Sequence, residues 1–293
     1  MLLLGFPEYR IQTERLAAHL RCECYIIEVH HFPDGESKIA VPITELPSTV
    51  IICRSLDHPN DKLVELLLTS ATLRDLGVKK LILVAPYLCY MRQDKAFHPG
   101  EAVSQKVIGR FLAELFDEVI TVDPHLHRIH YLNEAIPAMR AVSVSAASVM
   151  GNFLTSKTDN PFLLGPDQES EQWVAAIAHQ DNLEFGVAQK NRFDDETVQV
   201  ILPDVDVQHR EVVLVDDMVS TGHTLCEAAK KLQNLGVKKI HCLITHALLL
   251  GDAVDQLKRA GIDQIWSTDS IGHPTNVISL AELLSKAIAE STL

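Results

Sequence analysis

No stretch of this 293-residue chain is apolar for long enough to span a bilayer, and none is polar or repetitive enough to form a disordered tail. The opening Met1-Leu-Leu-Leu-Gly-Phe-Pro-Glu8 lacks a basic n-region, so it reads as a first strand and not as a signal peptide. The six cysteines (22, 24, 53, 89, 226 and 242) are scattered, with no Cys-x-x-Cys pair. Several lie in apolar patterns, as small core residues do, which points to the reducing cytoplasm. There is no excess of positive charge either. With 26 Lys and Arg against 39 Asp and Glu, the net charge is −13, which argues against nonspecific nucleic-acid binding. A polyanionic substrate would therefore need local Lys/Arg clusters and a divalent cation. Neither a Walker sequence nor Gly-x-Gly-x-x-Gly occurs, so no general nucleotide fingerprint is present.

What is present is a regular alternation. The length suits two domains with ample cores, and 47% of residues are hydrophobic. Glycine- and proline-punctuated strand and helix patterns alternate, which predicts an α/β fold with mainly parallel sheets. In the first half, strands are expected at 24–29, 38–41, 50–53, 81–85 and 119–122, and helices at 62–76 and 103–115. In the second half, strands are expected at 162–164, 184–187, 197–201, 212–215, 240–245 and 264–267. Helices should cover 171–179, 225–235, 253–260 and 280–290. Leu76-Gly-Val-Lys-Lys80 recurs as Leu235-Gly-Val-Lys-Lys239, 159 residues on, with a helix before and a strand after each copy. This reads as a duplicated α/β unit, with domains at 1–147 and 148–293.

The duplication is unequal at one place. In the second copy, the apolar run 212–215 is followed by Asp216 and Asp217, where the strand should end, then by Ser220, Thr221, Gly222 and Thr224 and a helical pattern. Free amides and the dipole at a helix N-terminus favour a phosphate, Gly222 permits close backbone approach, and the hydroxyls add donors. The acidic pair repels phosphate and suits neutral hydroxyls or a metal. A ligand satisfying both halves is a sugar phosphate. The blander reading, a capped surface helix with solvated aspartates, is outweighed by the strand and acidic pair together. The first copy carries Arg54-Ser-Leu-Asp-His-Pro-Asn-Asp-Lys62 in this region.

The stretch 211–224 resembles the ribose-5-phosphate loop shared by type I phosphoribosyltransferases and phosphoribosyl pyrophosphate (PRPP) synthetases. Five further stretches, in family order and approximate spacing, extend the likeness to PRPP synthetases over most of the chain. Phe32-Pro-Asp-Gly-Glu36 resembles the adenine-contacting loop, and Tyr90-Met-Arg-Gln-Asp94 the Arg-Gln-Asp nucleotide motif. Asp123-Pro-His125 is similar to the Asp-x-His metal motif, Gly165-Pro-Asp167 to the metal-binding Pro-Asp, and Lys190-Asn-Arg192 to the catalytic Lys-x-Arg of a mobile loop. Taken singly, Pro33-Asp34-Gly35 is a turn signal, Arg92 and Asp94 a surface ion pair, and His125 a backbone-bonded histidine. His127 and His130 read as spares.

The resemblance implies two tandem Rossmann-like domains of the type I phosphoribosyltransferase fold, their sheets flanked by helices. It implies Mg²⁺-dependent transfer of the diphosphoryl group of ATP to the C1 hydroxyl of ribose 5-phosphate, giving PRPP and AMP. ATP would meet Phe32, Asp34, Glu36, Arg92, Gln93 and Asp94. Ribose 5-phosphate would meet Asp216, Asp217, Ser220, Thr221, Gly222, His223 and Thr224. His125 and Asp167 would hold metal, and Lys190 and Arg192 would be catalytic. Self-association into at least a homodimer, up to a hexamer, is also implied, with neither nucleic acid nor membrane as partner. The chain departs from the common pattern in Gln168-Glu-Ser170 after Pro-Asp, in Ser220 (the archaeal form) and in His223. A phosphoribosyltransferase and a noncatalytic nucleotide-binding regulatory paralogue stay open as other readings.

Overall fold

The computed structural model describes residues 1–192 and 198–292, with the backbone alone at Asp181, 190–192, 198–199 and Thr292. The chain divides into two compact units. One comprises Met1–Ser145, Ser270–Gly272 and Leu280–Leu293, the other Ala146–Asp269 and His273–Ser279.

In the first unit the chain runs through β1 (Leu2–Gly5), α1 (Arg10–Leu20), β2 (Glu23–Ile26), β3 (Glu28–His31), β4 (Ser37–Ala40), β5 (Thr49–Cys53) and α2 (Pro59–Asp75). It continues through β6 (Lys80–Ala85), α3 (Ser104–Leu115), β7 (Glu118–Val122), α4 (Leu132–Ala135) and β8 (Arg140–Val144). Six strands form one sheet in the order β2-β1-β5-β6-β7-β8, every neighbouring pair parallel. Val50, Ile51 and Ile52 of β5 and Leu81, Ile82, Leu83 and Val84 of β6 are fully buried. Such continuous apolar runs are what a sheet covered on both faces requires. Strands β3 and β4 stand apart as an antiparallel hairpin.

The second unit repeats the plan: α5 (Ala147–Lys157), β9 (Phe162–Gly165), α6 (Glu171–Asp181), β10 (Phe185–Val187), β11 (Gln189–Arg192), β12 (Val198–Ile201), β13 (Glu211–Val219), α7 (His223–Asn234), β14 (Lys239–Ala247), α8 (Ala253–Arg259), β15 (Gln264–Thr268) and β16 (Asn276–Ile278). Its sheet order, β10-β9-β13-β14-β15-β16, is the first order over again and is also parallel throughout. The last helix, α9 (Ala281–Thr292), belongs to the first unit, where it packs on α1, β7 and β8.

The duplication extends to details. Ile27 donates its amide to the Gly5 carbonyl at 2.9 Å, and Ala188 donates to Gly165 at 2.8 Å. Each bond ends an edge strand and releases the chain into a hairpin. The hairpins β3–β4 and β11–β12 keep a constant spacing of 161 residues, from Glu28 to Gln189 and from Ser37 to Val198. The repeated Leu-Gly-Val-Lys-Lys is a helix stop. Gly77 and Gly236 adopt φ of 91° and 72°, and their amides return to Arg74 and Gln233. Such left-handed closures satisfy the last helical carbonyls and favour glycine.

Several expectations need correction. The strand expected at 24–29 breaks at Ile27 into β2 and β3. The strand expected at 212–215 runs on to Val219, because β14 is equally long and pairs Asp216 with Ile244 and Val219 with Ala247. Asp216 and Asp217 thus lie within β13 and not after it. Lys190 and Arg192 lie on β11, paired with Val200 and Val198 of β12. The strand expected at 197–201 is β12, and its residue 197 lies outside the described residues. Helices α1, α4 and α5 and strands β8 and β16 were not anticipated. In α1 the buried residues Thr13, Leu16 and Ala17 leave too faint an apolar stripe to read.

Candidate functional site

In the second unit, β13 delivers two carboxylates to the start of α7. Asp217 is buried, and its amide donates to Asp216 Oδ1 at 3.0 Å. Burial, and after it the charges of Asp217 and Asp167, push the Asp216 carboxyl well above the ordinary carboxylate range. Asp167 follows β9, whose Leu163 and Leu164 pair with Val213 and Leu214 of β13, so the three carboxylates gather at the same end of adjacent strands.

After β13 the chain makes the loop 220–222 and enters α7. Gly222 is the N-cap, with φ of 76° and no side-chain cap. An added Cβ would stand 3.2 Å from Leu257 Cδ2, so both the φ and the space call for glycine here. With the cap side chain missing, the first amides of α7 are left for a ligand. The loop is tethered from outside: Leu249 donates to Val219 and Leu250 to Ser220, both at 2.9 Å. Thr221 and His223 are exposed, and Ser220 and Thr224 partly so. All seven residues expected to meet the sugar phosphate therefore fall on one continuous strand–turn–helix.

The departure at Gln168-Glu-Ser170 has a local explanation. These residues form a short 3₁₀ turn in which the Asp167 side chain accepts from the Glu169 amide at 3.1 Å. The Ser170 hydroxyl donates to the Asp167 carbonyl at 2.6 Å. Ser170 thus closes the turn on Asp167. Of Lys190 and Arg192, only the strand position is described.

In the first unit, Phe32, Asp34 and Glu36 occupy the tip of the β3–β4 hairpin. Phe32 and Glu36 exchange a 2.8 Å backbone bond, Gly35 adopts φ of 93°, and Asp34 accepts from the Glu36 amide at 3.2 Å. The tip is a tight, exposed turn, as Pro33-Asp34-Gly35 signals. Arg92 is exposed, and Gln93 accepts from the Ser104 hydroxyl at 3.3 Å. The Asp94 side chain is largely buried and bound to Arg128. Burial raises its carboxyl, but the Arg128 hydrogen bond and charge outweigh this and hold it below the ordinary value. Asp94 therefore orients Arg128 and does not pair with Arg92 as a surface ion pair would.

His127 was passed over too. Its Nε2 lies 2.5 Å from that of His125, the rings edge to face at 4.0 Å. Alternation in His125-x-His127 was the available signal, since residues two apart on extended chain share a side. The hinge of this segment, Asp123, is buried with φ of 35°, a conformation a non-glycine residue holds only under constraint from its surroundings.

Comparison with known proteins places this arrangement. Family profiles described as the N-terminal domain of ribose phosphate pyrophosphokinase and as a phosphoribosyl transferase domain match residues 1–115 and 135–272. The chain is 34% identical over 292 residues to the ribose-phosphate pyrophosphokinase of Methanopyrus kandleri, covering 98% of both. It belongs to the ribose-phosphate pyrophosphokinase family. Pyrophosphokinases of Thermococcus kodakarensis (35% over 261 residues, 89% of this chain and 91% of that one) and Sulfolobus acidocaldarius (32% over 295 residues, 99% of each) agree. The crystal structure of phosphoribosylpyrophosphate synthetase from Mycobacterium smegmatis shares the fold. Its TM-score is 0.85 at 19% identity, with 99% of this chain and 98% of that one covered. As a pyrophosphokinase family member the chain is an enzyme, with the two-sheet α/β architecture described above.

Proposed function

We propose that the chain transfers the diphosphoryl group of ATP to the C1 hydroxyl of ribose 5-phosphate, giving PRPP and AMP. The observation carrying this is the strand β13, whose acidic pair Asp216–Asp217 leads into an α7 capped by Gly222 alone. The 5-phosphate takes the free amides and hydroxyls at 220–224. The sugar hydroxyls take Asp216 and Asp217. Held so, the C1 oxygen bonds to the β-phosphorus while the bond to the bridging oxygen of AMP breaks. Orientation and charge neutralisation are the main demands of such a transfer. Lys190 and Arg192 neutralise charge on the transferred group. Phe32, Asp34, Glu36, Arg92 and Gln93 hold the nucleotide, with Asp94 acting through Arg128.

The residues fit Mg²⁺. Asp167, Asp216 and Asp217 supply hard oxygen donors at the same end of adjacent strands, where burial and the neighbouring charges raise the Asp216 carboxyl. The Nε2 atoms of His125 and His127 face each other, and His125 would join Asp167 as a ligand. When bound, Mg²⁺ supplies charge neutralisation on phosphate oxygens. The six free cysteines agree with a reducing compartment, the cytoplasm. Self-association to a homodimer or larger assembly, up to a hexamer, is part of the proposal.

The test is AMP formation from ATP and Mg²⁺, with and without ribose 5-phosphate, in wild type and Lys190→Ala. Sugar-dependent AMP with PRPP as co-product, reduced about a hundredfold or more in the variant, is expected. AMP formation that ignores the sugar overturns the assignment. Chelation of Mg²⁺ should abolish the reaction.

A further inference from the structure

The strand–loop–helix of the first unit that matches β13–α7 carries no acidic pair. Matched through the β1–β5 and β9–β13 registers, Arg54 stands at the position of Asp216 and Ser55 at that of Asp217. Arg54 is buried and fully engaged. It pairs with the buried Glu65 of α2, donates from Nε to Glu8 at 2.7 Å and from Nη1 to the Lys62 carbonyl at 3.2 Å, and covers the Phe6 ring at 3.7 Å. Pro59 removes one N-terminal amide from α2, and Asp61 puts a carboxylate in its first turn. This loop therefore lacks the acidic pair and the bare helix start of its counterpart.

The helix instead reaches two other segments. The second oxygen of Glu65 accepts from the Ser37 hydroxyl at 2.8 Å, and His31 Nδ1 lies 3.2 Å from that hydroxyl. His31 and Ser37 are the residue pair that closes the β3–β4 hairpin at its tip. One turn earlier, Asn60 accepts from the Tyr90 hydroxyl at 2.5 Å. Tyr90 opens the segment containing Arg92 and Gln93, and its φ of 61° shows a backbone held by its surroundings.

We infer that the first unit's former phosphate loop has become a brace, in which Arg54 locks Glu65 so that α2 positions both nucleotide-contacting segments, the hairpin tip through Ser37 and the 90–94 segment through Tyr90. Ser37, Glu65, Asn60 and Tyr90 are positioning residues. This rests on the assignment of those segments to ATP.

The test uses Ser37→Ala, Tyr90→Phe and their double variant in the full chain, with Ser37→Thr as the conservative rescue. Losing one such hydrogen bond should raise the KM for ATP about fivefold, and losing both more than tenfold. The KM for ribose 5-phosphate and the Tm should barely move, and Ser37→Thr should recover most of the loss. Amide exchange across 28–40 should quicken about fivefold in Ser37→Ala while β5–β7 stay unchanged. An unchanged KM for ATP, an equal rise in both KM values, or unchanged exchange at 28–40 overturns the brace. Loss of sugar-dependent AMP in the wild type would instead strike the proposed function, and exchange then still decides whether Ser37 holds the hairpin.

Discussion

The two units share a strand order, a hairpin spacing and a helix stop, yet they treat the same turn in opposite ways. In the second, β13 carries two carboxylates and α7 begins on a bare glycine with no side-chain cap. In the first, Arg54 answers Glu65 and Glu8, and the helix begins at Pro59. Unmet polar groups cost stability and are kept where a ligand meets them. Met ones add rigidity and bind nothing. A duplicated element thus diverges by changing which partner satisfies its charges, while the strand order around it is kept.

The comparison can be broken most forcefully at its charged centre. Arg54→Ala leaves Glu65 buried without its cation and should cost about 3–5 kcal/mol of stability, read as a lower denaturant midpoint. Asp216→Asn should leave folding intact and instead lower sugar-dependent AMP formation about a hundredfold, roughly 2.7 kcal/mol of transition-state stabilisation. Reversed outcomes would mean that the units' roles are exchanged. At the turn itself, Gly222→Ala forces a methyl group into a left-handed conformation and against Leu257, costing about 1–2 kcal/mol in thermal melts. Its KM for ribose 5-phosphate should rise while that for ATP holds.

The smallest effect concerns His241 on β14, a buried ring stacked on Trp266 at 4.7 Å. Burial lowers its pKa, against the opposing pull of Asp263 and Glu211. As pH falls below about 6.5, the unfolded chain takes up a proton that the folded chain refuses, so stability declines with falling pH. His241→Leu should flatten the Tm profile between about pH 7 and 5. An unaltered slope would assign acid sensitivity to other groups.

Much of this was legible because it is local. Apolar runs such as Val212-Val-Leu-Val215 announce buried strands, and Asp216, Asp217 and Gly222 lie within one turn of each other in the chain. The repeat was visible for the same reason, since a helix stop needs glycine at a fixed place. What escaped depends on distant partners. The contact of Glu65 with Ser37 spans 28 residues, and that of Arg54 with Glu8 spans 46. The polar Lys190-Asn-Arg192 stretch looks like solvated loop until pairing with β12 makes it a strand. A constant 159-residue offset would put Asp57 over Asp216, whereas strand register sets Arg54 there, because the loops differ in length.

Helix α9 comes last in the chain yet packs on α1, near its start. On the ribosome, the first unit's strands emerge long before the helix that covers α1, and the whole second unit is made in between. The early unit must wait, partly uncovered, for residues 281–292. A stop codon a few residues before Ala281 would therefore damage the half of the molecule synthesised first, and translation that pauses late would expose the same surface to chaperones.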